Sequence, residues 1–422
     1  MDILIFEVSI NMKKLHTGQY LWPIYNQLKA LNTASLSSSL KTDVVVVGGG
    51  ISGILTAYQL WRANIDFVVV EAHQIAHGSS LASSGLLQYC SDISLPDLRS
   101  TIGKNKADTF YQACYSAIDE LQQLLEEVNL KGETQFERVS SLQYASCNQD
   151  TLKLQAHYAA LSELGLPCEL WGKKKIEEHY SFSKPLALVT HHDAVINPYA
   201  LIRNLSAFLL HKGIKIIEHA KVTSQSFYKD DISLTINNEY EIIASHVIYA
   251  IGYQPEQLQE DKIKPILNRT YTVVTNPITQ LAKRYDGKLI WETAKPYLYI
   301  RTTQDNRLII GGLDERQQAP NEDPVSVEQH NKQLLNELIK LFPFIKDEVK
   351  IEYAWNATFA ESYDQLPYIG ASPKHKQILY LCGYGGNGTV YSMLGSKLLT
   401  DYIMGKDVDD NIVATAVALD RE

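Results

Sequence analysis

The chain of 422 residues lacks three features that would each direct it to a particular class of protein. It has no excess of positive charge, because 39 Lys and Arg against 48 Asp and Glu give a formal net charge of -9, and so it offers no electrostatic footprint to nucleic acid. It has no run of about 20 apolar residues, the length that a membrane-spanning helix needs. Its five cysteines form no C-x-x-C pair and indicate neither a disulfide framework nor a zinc site. These absences favour a small-molecule partner and a reducing, cytoplasmic compartment.

The first part of the chain carries little regular pattern. Acidic residues interrupt its apolar ones and no small-residue cleavage site follows, so it is a poor secretory signal. Met12, followed by two lysines, is an alternative start to Met1. A Ser-rich stretch precedes the first strong element, and residues 1–39 are therefore predicted to form an N-terminal arm or linker.

A βαβ unit follows the arm. Residues 43–47 are an apolar, β-branched run that is typical of a strand buried on both faces. Residues 52–63 have a helical pattern, and residues 67–70 form a second apolar run. A strand, a glycine turn, a helix and a strand within about 30 residues make this unit.

The glycine turn contains the G-x-G-x-x-G spacing of a dinucleotide-binding fingerprint. Gly48 permits the tight turn, Gly50 lets the backbone approach a pyrophosphate, and Gly53 lets the helix pack closely on the strand. The positive end of the helix then holds the phosphates. Glu71, at the end of the second strand, is placed to accept hydrogen bonds from ribose hydroxyls and would repel a 2′-phosphate. This motif disfavours NADP and leaves NAD and FAD open.

Further elements follow the same kind of pattern. Residues 110–128 have helical spacing, and Asn197-Pro198 opens another helix. Residues 265–314 alternate aromatic and β-branched side chains, which predicts a mostly antiparallel sheet. A Gly-rich turn at residues 383–388 precedes a final helix.

The segment after Glu71 favours FAD over NAD. Residues 78–86 form a small, hydroxyl-rich loop that is suited to wrapping a second phosphate and to letting a flavin ring pass close to the backbone. A polar surface loop is the alternative interpretation of the same residues.

In five blocks the sequence resembles the D-amino acid oxidase-like superfamily of FAD oxidoreductases, from about residue 42 to 406. Within it the similarity is greatest to bacterial γ-glutamylputrescine oxidase-, glycine oxidase- and sarcosine oxidase-like proteins. The blocks are DVVVVGGGISGILTAYQL with Glu71, the GSSLASSGLL loop, VINP before a helix that leads to Val222, HVIYAIG at 246–252, and DQLPYIG followed by GYGGNGT at 383–389.

The resemblance implies FAD with defined contacts. Glu71 would hold the adenosine ribose, Ser79 and Ser80 the pyrophosphate, and Val222 the adenine. The last helix would face the flavin N1–C2=O edge, where its positive end stabilises the charge of the reduced ring. The implied cofactor-binding residues are Gly48, Gly50, Ile51, Ser52, Gly53, Glu71, Ala72, Gly78, Ser79, Ser80, Ser84, Gly85, Leu86, Val222, Ala250, Gly252, Gly386, Asn387, Gly388 and Thr389.

The implied reaction is hydride transfer from a C–H beside a neutral amine nitrogen to flavin N5, giving an imine that water hydrolyses. Positioning supplies most of the rate, so no acid–base pair is required. Arg301 is the candidate clamp for a substrate carboxylate, with a strand ion pair to Asp305 as the alternative. Tyr299 and Tyr384 are candidates for the pocket wall, with core packing as the alternative.

Three departures from the resemblance bear on the chemistry. No Cys lies in residues 358–363, so the FAD is expected to be non-covalent. Ile309 occupies the place of an oxygen-activating Lys, which leaves either O2 or another carrier as the electron acceptor. No carboxylate-binding Arg lies in residues 361–366, which weakens an amino-acid substrate. Oxidation of a hydroxy acid or polyol, and flavin binding without turnover, remain alternatives.

The predicted fold class is α/β (α+β overall), with a Rossmann-type FAD-binding domain and a second, mostly antiparallel substrate domain. No metal site is expected, because the adjacent His191 and His192 would point to opposite faces of a strand. The FAD-binding domain is assigned residues 40–90, 195–258 and 350–422, and the substrate domain residues 91–194 and 259–349.

Overall fold

The computed structural model describes residues 6–7, 14–25, 28–90, 92–228, 231–253, 260–406 and 411–421. Met1 and Met12, and with them the choice of start, lie outside the described residues. The described strands are β1 (Phe6–Glu7), β2 (His16–Gln19), β3 (Leu40–Val47), β4 (Phe67–Val70), β5 (Leu86–Leu87), β6 (Glu137–Tyr144), β7 (Cys168–Gly172), β8 (Leu186–Val195), β9 (Lys215–Ile217), β10 (Val222–Tyr228), β11 (Asp231–Ile236), β12 (Tyr240–Tyr249), β13 (Ile266–Thr275), β14 (Leu289–Glu292), β15 (Tyr299–Thr302), β16 (Leu308–Glu315), β17 (Ile351–Glu361), β18 (Tyr368–Ala371) and β19 (Ile378–Cys382).

The α-helices occupy the connections between these strands. They are α1 (Trp22–Tyr25), α2 (Ile51–Arg62), α3 (Leu95–Ile102), α4 (Lys104–Glu127), α5 (Asp150–Glu163), α6 (Lys173–His179), α7 (Pro198–His211), α8 (Leu281–Arg284), α9 (Pro324–Leu341), α10 (Gly388–Ile403) and α11 (Ile412–Val417). A short 3₁₀ helix spans Ser79–Ala82.

The first sheet confirms the predicted βαβ unit. Its strand order is β1-β10-β11-β12-β3-β4-β9, with β19 beside the end of β12 and β18 beside β19. The strands β12, β3, β4 and β9 run parallel, as a βαβ arrangement requires. Val44, Val45 and Val46 are fully buried, which explains the unbroken apolar run of β3. Helix α2 covers this sheet and packs against α7 and α10.

The second sheet confirms the predicted antiparallel region and extends it. Its order is β2-β17-β13-β16-β15-β14-β6-β8-β5, with β7 beside β8. All pairs in it are antiparallel except that of β14 with β6. Helix α9 packs on β13 and β16 and covers the outer face. The two sheets give the mixed α/β class that the sequence predicts.

The strand pairing and helix packing differ from the expected domain boundaries in three places. Strand β17 pairs with β13 along its whole length, so residues 351–361 belong to the second sheet and not to the FAD-binding part. Strand β2 pairs with β17, so residues 16–19 form an edge strand of that sheet within the segment that was predicted as an arm. Helix α4, assigned to the substrate domain, packs against α10 and α11 on the first sheet. Sequence periodicity predicts each element but not which sheet it joins.

The described helices include none that combines the length and the apolar character needed to cross a membrane.

Candidate functional site

A cavity lies between the two sheets. Val47 and Tyr249 of the first sheet line it on one side, and Thr270 and Ala357 of the second line it on the other. Most of the predicted cofactor positions line this cavity: Gly48, Gly50, Ile51, Ser52, Glu71, Ala72, Gly78, Ser79, Ser80, Ser84, Leu86, Val222, Ala250, Gly252, Gly386, Asn387, Gly388 and Thr389. The fold therefore brings together segments that lie far apart in the sequence.

The glycines of the fingerprint are required by close backbone contacts. Gly48 has a φ of +117°, and a Cβ on it would lie 2.3 Å from the carbonyl oxygen of Ala250. Gly53 does not line the cavity, because it lies beneath the turn, where a Cβ would meet the oxygen of Gly48 at 1.8 Å. Any side chain at either position would push the turn away from the strand.

The N-terminus of α2 opens into the cavity. Its cap residue, Gly50, has no side chain to accept hydrogen bonds from the first amides of the helix. One of those amides, that of Ile51, donates to Ser80 Oγ at 3.1 Å. This hydroxyl therefore lies where a phosphate oxygen would accept the same bond. Helix amides and serine hydroxyls together form a set of donors for an anion.

Glu71 lies at one end of the cavity, which we call the Glu71 end. Its carboxylate accepts the backbone N–H of Gly49 at 2.7 Å and that of His73 at 2.8 Å. These two bonds fix the carboxylate beside the turn. His73 and Lys221 are the only basic side chains among the described lining residues, and both lie at this end.

The N-terminus of α10 also opens into the cavity, in a part that we call the Gly386 end. Asn387 is the N-cap residue of this helix, but its side chain bonds to the backbone of Gln88 and accepts no hydrogen bond from the first amides of the helix. Ser392 of α10 contacts Ser52 of α2, with 2.8 Å between their hydroxyl oxygens. Two positive helix ends therefore face one cavity, and both favour a bound group that carries negative charge.

Asp92 lies at the Gly386 end and was missed by sequence reasoning. Its carboxylate accepts the N–H of Gly386 at 2.7 Å and the hydroxyl of Tyr297 at 3.2 Å. A Cβ on Gly386 would lie 3.0 Å from one of its oxygens, which shows how closely the two segments approach. Asp92 is in an irregular stretch, so no local pattern marks it as a site residue.

Asp314 is the second carboxylate at this end and was also missed. A β-bulge, with Leu313 at a φ of +57°, interrupts the pairing of β16 with β13 just before it. The Asp314 residue borders the cavity, and its Oδ1 atom is buried and has no hydrogen-bond partner among the described residues. Burial raises the pKa of Asp314 to about 6; an interaction of the carboxyl group with the Thr270 side chain opposes this rise, and the negative charges of Glu361 and Asp92 add to it.

Glu361 extends this acidic region behind the cavity. Burial, and then the charge of Asp92, raises the pKa of Glu361. The side-chain amide of Asn268 donates to it at 2.8 Å. Three carboxylates therefore act on one another near the Gly386 end.

Aromatic side chains form the remaining wall. Tyr299, Tyr297, Trp291 and Tyr253 line the cavity, and the Tyr299 hydroxyl is 3.4 Å from Thr272 Oγ1. Of the two predicted tyrosines, the structure thus brings Tyr299 to the cavity. It does not bring Tyr384, which is fully buried between Tyr253 and Tyr368.

Arg301 does not reach the cavity, and the structure corrects its assignment as a carboxylate clamp. It shares a face of β15 with Tyr299, but the loop at residues 84–85 and the end of β8 cover that part of the face. Its Nη1 atom donates to backbone carbonyls, including that of Gly85 at 2.8 Å. Asp305, the alternative partner, instead pairs with Arg307 at 2.7 Å.

Gly85 also faces away from the cavity, at a φ of +73°. A Cβ on it would lie 2.1 Å from the oxygen of Ile196. Ile309 is buried among apolar side chains outside the cavity, next to Trp22 and Trp355. Among the described residues no group of three or more His, Cys, Asp or Glu is arranged to hold a metal ion.

The histidine pair has structural contacts. His191 interacts with Glu169, with 3.0 Å between Nε2 and Oε1. His192 stacks on Tyr115, with 4.1 Å between the ring centroids.

Comparison with known proteins agrees with this geometry. A family model, DAO (FAD dependent oxidoreductase), matches residues 43–402. The chain is 26% identical to gamma-glutamylputrescine oxidoreductase of Escherichia coli (strain K12) over 413 residues, which cover 92% of this chain and 89% of that protein. It is 22% identical to glycine oxidase of Bacillus licheniformis, over 87% of this chain and 94% of the other.

The solved structure of glycine oxidase from Geobacillus kaustophilus has the same fold. It matches with a TM-score of 0.77 at 18% identity, over 91% of this chain and 100% of the other. The family match spans most of the chain, including both helix ends at the cavity. The chain therefore belongs to the DAO family of FAD-dependent oxidoreductases.

Proposed function

We propose that the protein oxidises an amine at the carbon beside its nitrogen, giving an imine that water hydrolyses. The observation that carries this proposal is the pair of carboxylates at the Gly386 end of the cavity, Asp92 and Asp314. No basic side chain among the described lining residues accompanies them at that end, and the nearby positive charge of Lys295, which is outside the lining, makes a smaller contribution to the pKa of Asp314 than burial or the neighbouring carboxylates do. Such a wall attracts a cationic amine and repels the carboxylate of an amino acid.

FAD is proposed to bind non-covalently along the cavity. Glu71 would accept hydrogen bonds from the adenosine ribose, and Ser79, Ser80 and the α2 amides would bind the pyrophosphate. The positive end of α10 would face the ring system. When bound, FAD supplies the acceptor for a hydride from the substrate carbon.

The two carboxylates would then have different roles. Asp92 is held by Gly386 and Tyr297, and is suited to fix the position of an ammonium group. Asp314 presents an unbonded oxygen, and is suited to accept one proton from that ammonium. The neutral amine keeps the nitrogen lone pair, which forms the C=N bond as the hydride leaves. Tyr299 and Trp291 would pack on the carbon chain and exclude water.

The names of the relatives divide between two substrate classes. The Escherichia coli protein is named for γ-glutamylputrescine, an acylated diamine, and the Bacillus protein for glycine. The carboxylates of Asp92 and Asp314 at the Gly386 end support the first class for this chain. O2 and another carrier both remain candidate electron acceptors.

Anaerobic mixing tests this function. Purified FAD-bound protein is mixed with monoamines, diamines, N-acylated diamines, amino acids and hydroxy acids, and the loss of flavin absorbance is followed. We expect bleaching by amines that carry no nearby carboxylate. Bleaching only by amino acids or hydroxy acids, or by no compound, would contradict the proposal.

A matched pair of variants separates the acidic wall from general charge effects. Asp314→Asn should slow bleaching by amines, whereas Asp347→Asn changes an exposed carboxylate remote from the cavity lining and should not. Equal rates for the two variants would remove Asp314 from the reaction.

A further inference from the structure

Four consecutive backbone carbonyls, in the loop at residues 82–85, each accept a hydrogen bond from a buried side chain. The bonds run from Trp355 Nε1 to Ala82 (3.0 Å), from Trp22 Nε1 to Ser83 (2.7 Å), and from Arg301 Nη1 to Ser84 (3.0 Å) and Gly85 (2.8 Å). The donors come from three distant parts of the chain. No pattern in the sequence predicts that these three side chains donate to the same loop.

The three donors are fixed by burial. Trp22, Trp355 and Arg301 are 1%, 2% and 3% exposed. The two indoles belong to one small apolar cluster, and the guanidinium carbon of Arg301 lies 5.7 Å from the centroid of the Trp22 ring. Buried N–H groups require partners, so moving the loop would leave several donors unsatisfied. The position of the loop is therefore strongly determined.

The other side of the same loop lines the cavity. Ala82, Ser83, Ser84 and Leu86 all border it, between the Glu71 end and the Gly386 end. A cofactor that reaches from one helix end to the other must pass this stretch of backbone.

Arg301 also brings a positive charge to this loop. Its hydrogen-bond acceptors are neutral carbonyls, which include those of Ile196 and Thr302. Among the described residues no carboxylate lies within 4.0 Å of its guanidinium, and Glu137 acts on it only at longer range. Burial lowers the pKa of Arg301 to about 10, which leaves it charged at neutral pH.

We propose that Trp22, Trp355 and Arg301 are positioning residues for the flavin: they hold the loop at residues 82–85 against the cofactor, and the Arg301 charge stabilises its reduced, anionic form. The proposal rests on the FAD dependence of the family and not on the amine as substrate. It also makes the segment before the dinucleotide fingerprint a part of the cofactor site.

The indole bonds are tested by substitutions that keep an aromatic ring. Trp22→Phe and Trp355→Phe each remove one donor, and each should raise the Kd for FAD about fivefold. Trp171→Phe is the control, because its Nε1 donates to Glu169 away from the cavity lining. Apo-protein is titrated with FAD by fluorescence.

Thermal unfolding separates a positioning role from a general loss of stability. If the indoles position the cofactor, the gain in unfolding midpoint on adding FAD should shrink in Trp22→Phe and Trp355→Phe. A purely structural role would lower the midpoints with and without FAD by equal amounts. Equal lowering, or an unchanged Kd in both variants, would overturn this part of the proposal.

The charge is tested by the reduction potential of the bound flavin. Arg301→Gln keeps a side-chain donor but removes the charge, and Arg301→Lys keeps the charge. We expect Arg301→Gln to bind reduced flavin, relative to oxidised flavin, about tenfold less tightly than the original protein does. This change corresponds to a reduction potential about 30 mV more negative. The reduction potential of Arg301→Lys should stay close to that of the original protein.

The potential is measured by stepwise anaerobic reduction with a reference dye, which needs no amine turnover. Failure of the amine proposal and failure of this one are therefore distinguishable. A wild-type potential in Arg301→Gln overturns the role of the charge. If Arg301→Gln fails to fold, Arg301→Lys provides the test. A reduction potential about 30 mV more negative in Arg301→Lys would overturn the role of the charge, because the charge is still present in that variant.

Discussion

Replacing Asp314 by Asn should lower activity and at the same time stabilise the FAD-free protein. The structure buries this carboxyl group and raises its pKa from 3.8 to about 6. A difference of that size corresponds to at most about 3 kcal/mol of unfavourable free energy when the group is ionised in the folded protein. Asn has nearly the same shape and carries no charge, so it does not incur this cost.

The sign of the pH dependence follows from proton binding. Between pH 3.8 and about 6 the folded protein holds a proton on Asp314 that the unfolded chain has released. The free energy of unfolding therefore falls in this window as the pH rises, and the full cost is present only above it. Asp314→Asn should unfold at a higher midpoint than the original protein at pH 8, and the difference should shrink at pH 4.5.

The assay is thermal unfolding of both FAD-free proteins at these two pH values, with Asp347→Asn as the exposed control. In parallel, kcat/KM for an amine should rise with pH to a plateau above about 6, because Asp314 accepts a proton only when ionised. Asp314→Asn should lose on the order of a hundredfold in kcat/KM. A stability difference that is absent at pH 8, or equal at both pH values, would refute the reasoning.

Three further substitutions test the cofactor and substrate ends. Gly50→Ala brings a methyl group 3.0 Å from Ser80 Oγ and should weaken FAD binding about tenfold, whereas Gly132→Ala, outside the cavity lining, meets nothing within 4 Å and should not. Glu71→Gln should also raise the Kd for FAD about tenfold, because an amide replaces a doubly accepting carboxylate. Both are measured by fluorescence titration. Asp92→Asn should raise KM for a cationic amine about tenfold at unchanged FAD affinity, as steady-state kinetics will show.

Each of these expectations has a contrary result. Equal FAD affinities for Gly50→Ala and Gly132→Ala would mean that no phosphate approaches the turn. An Asp92→Asn variant with unchanged KM but weaker FAD binding would assign that carboxylate to the cofactor.

The cofactor end of the site could be predicted from the sequence because its rules are local. A turn that brings its backbone against a phosphate needs glycine, and Gly48 and Gly53 meet neighbouring backbone atoms as that rule requires. The apolar run of β3 predicts its burial without knowledge of its neighbours. The position of Glu71 follows from the length of the βαβ unit alone.

The substrate end could not be predicted in the same way. Asp92 meets Gly386 across 294 positions of sequence, and no periodicity reports such a contact. Asp314 faces the cavity because of a bulge, which shifts the alternation of its strand by one residue. Arg301 has the side chain of a carboxylate ligand, but backbone carbonyls surround it instead.

What the sequence by itself determined is therefore the dinucleotide turn, the parallel core around it and the family. These depend on backbone conformation and on patterns within about 30 residues. Only the tertiary structure decided that Trp22 donates to the loop at residues 82–85 and that carboxylates gather at the Gly386 end of the cavity. Those features arise from packing between segments that are distant in sequence, where burial and charge depend on neighbours that no local pattern names.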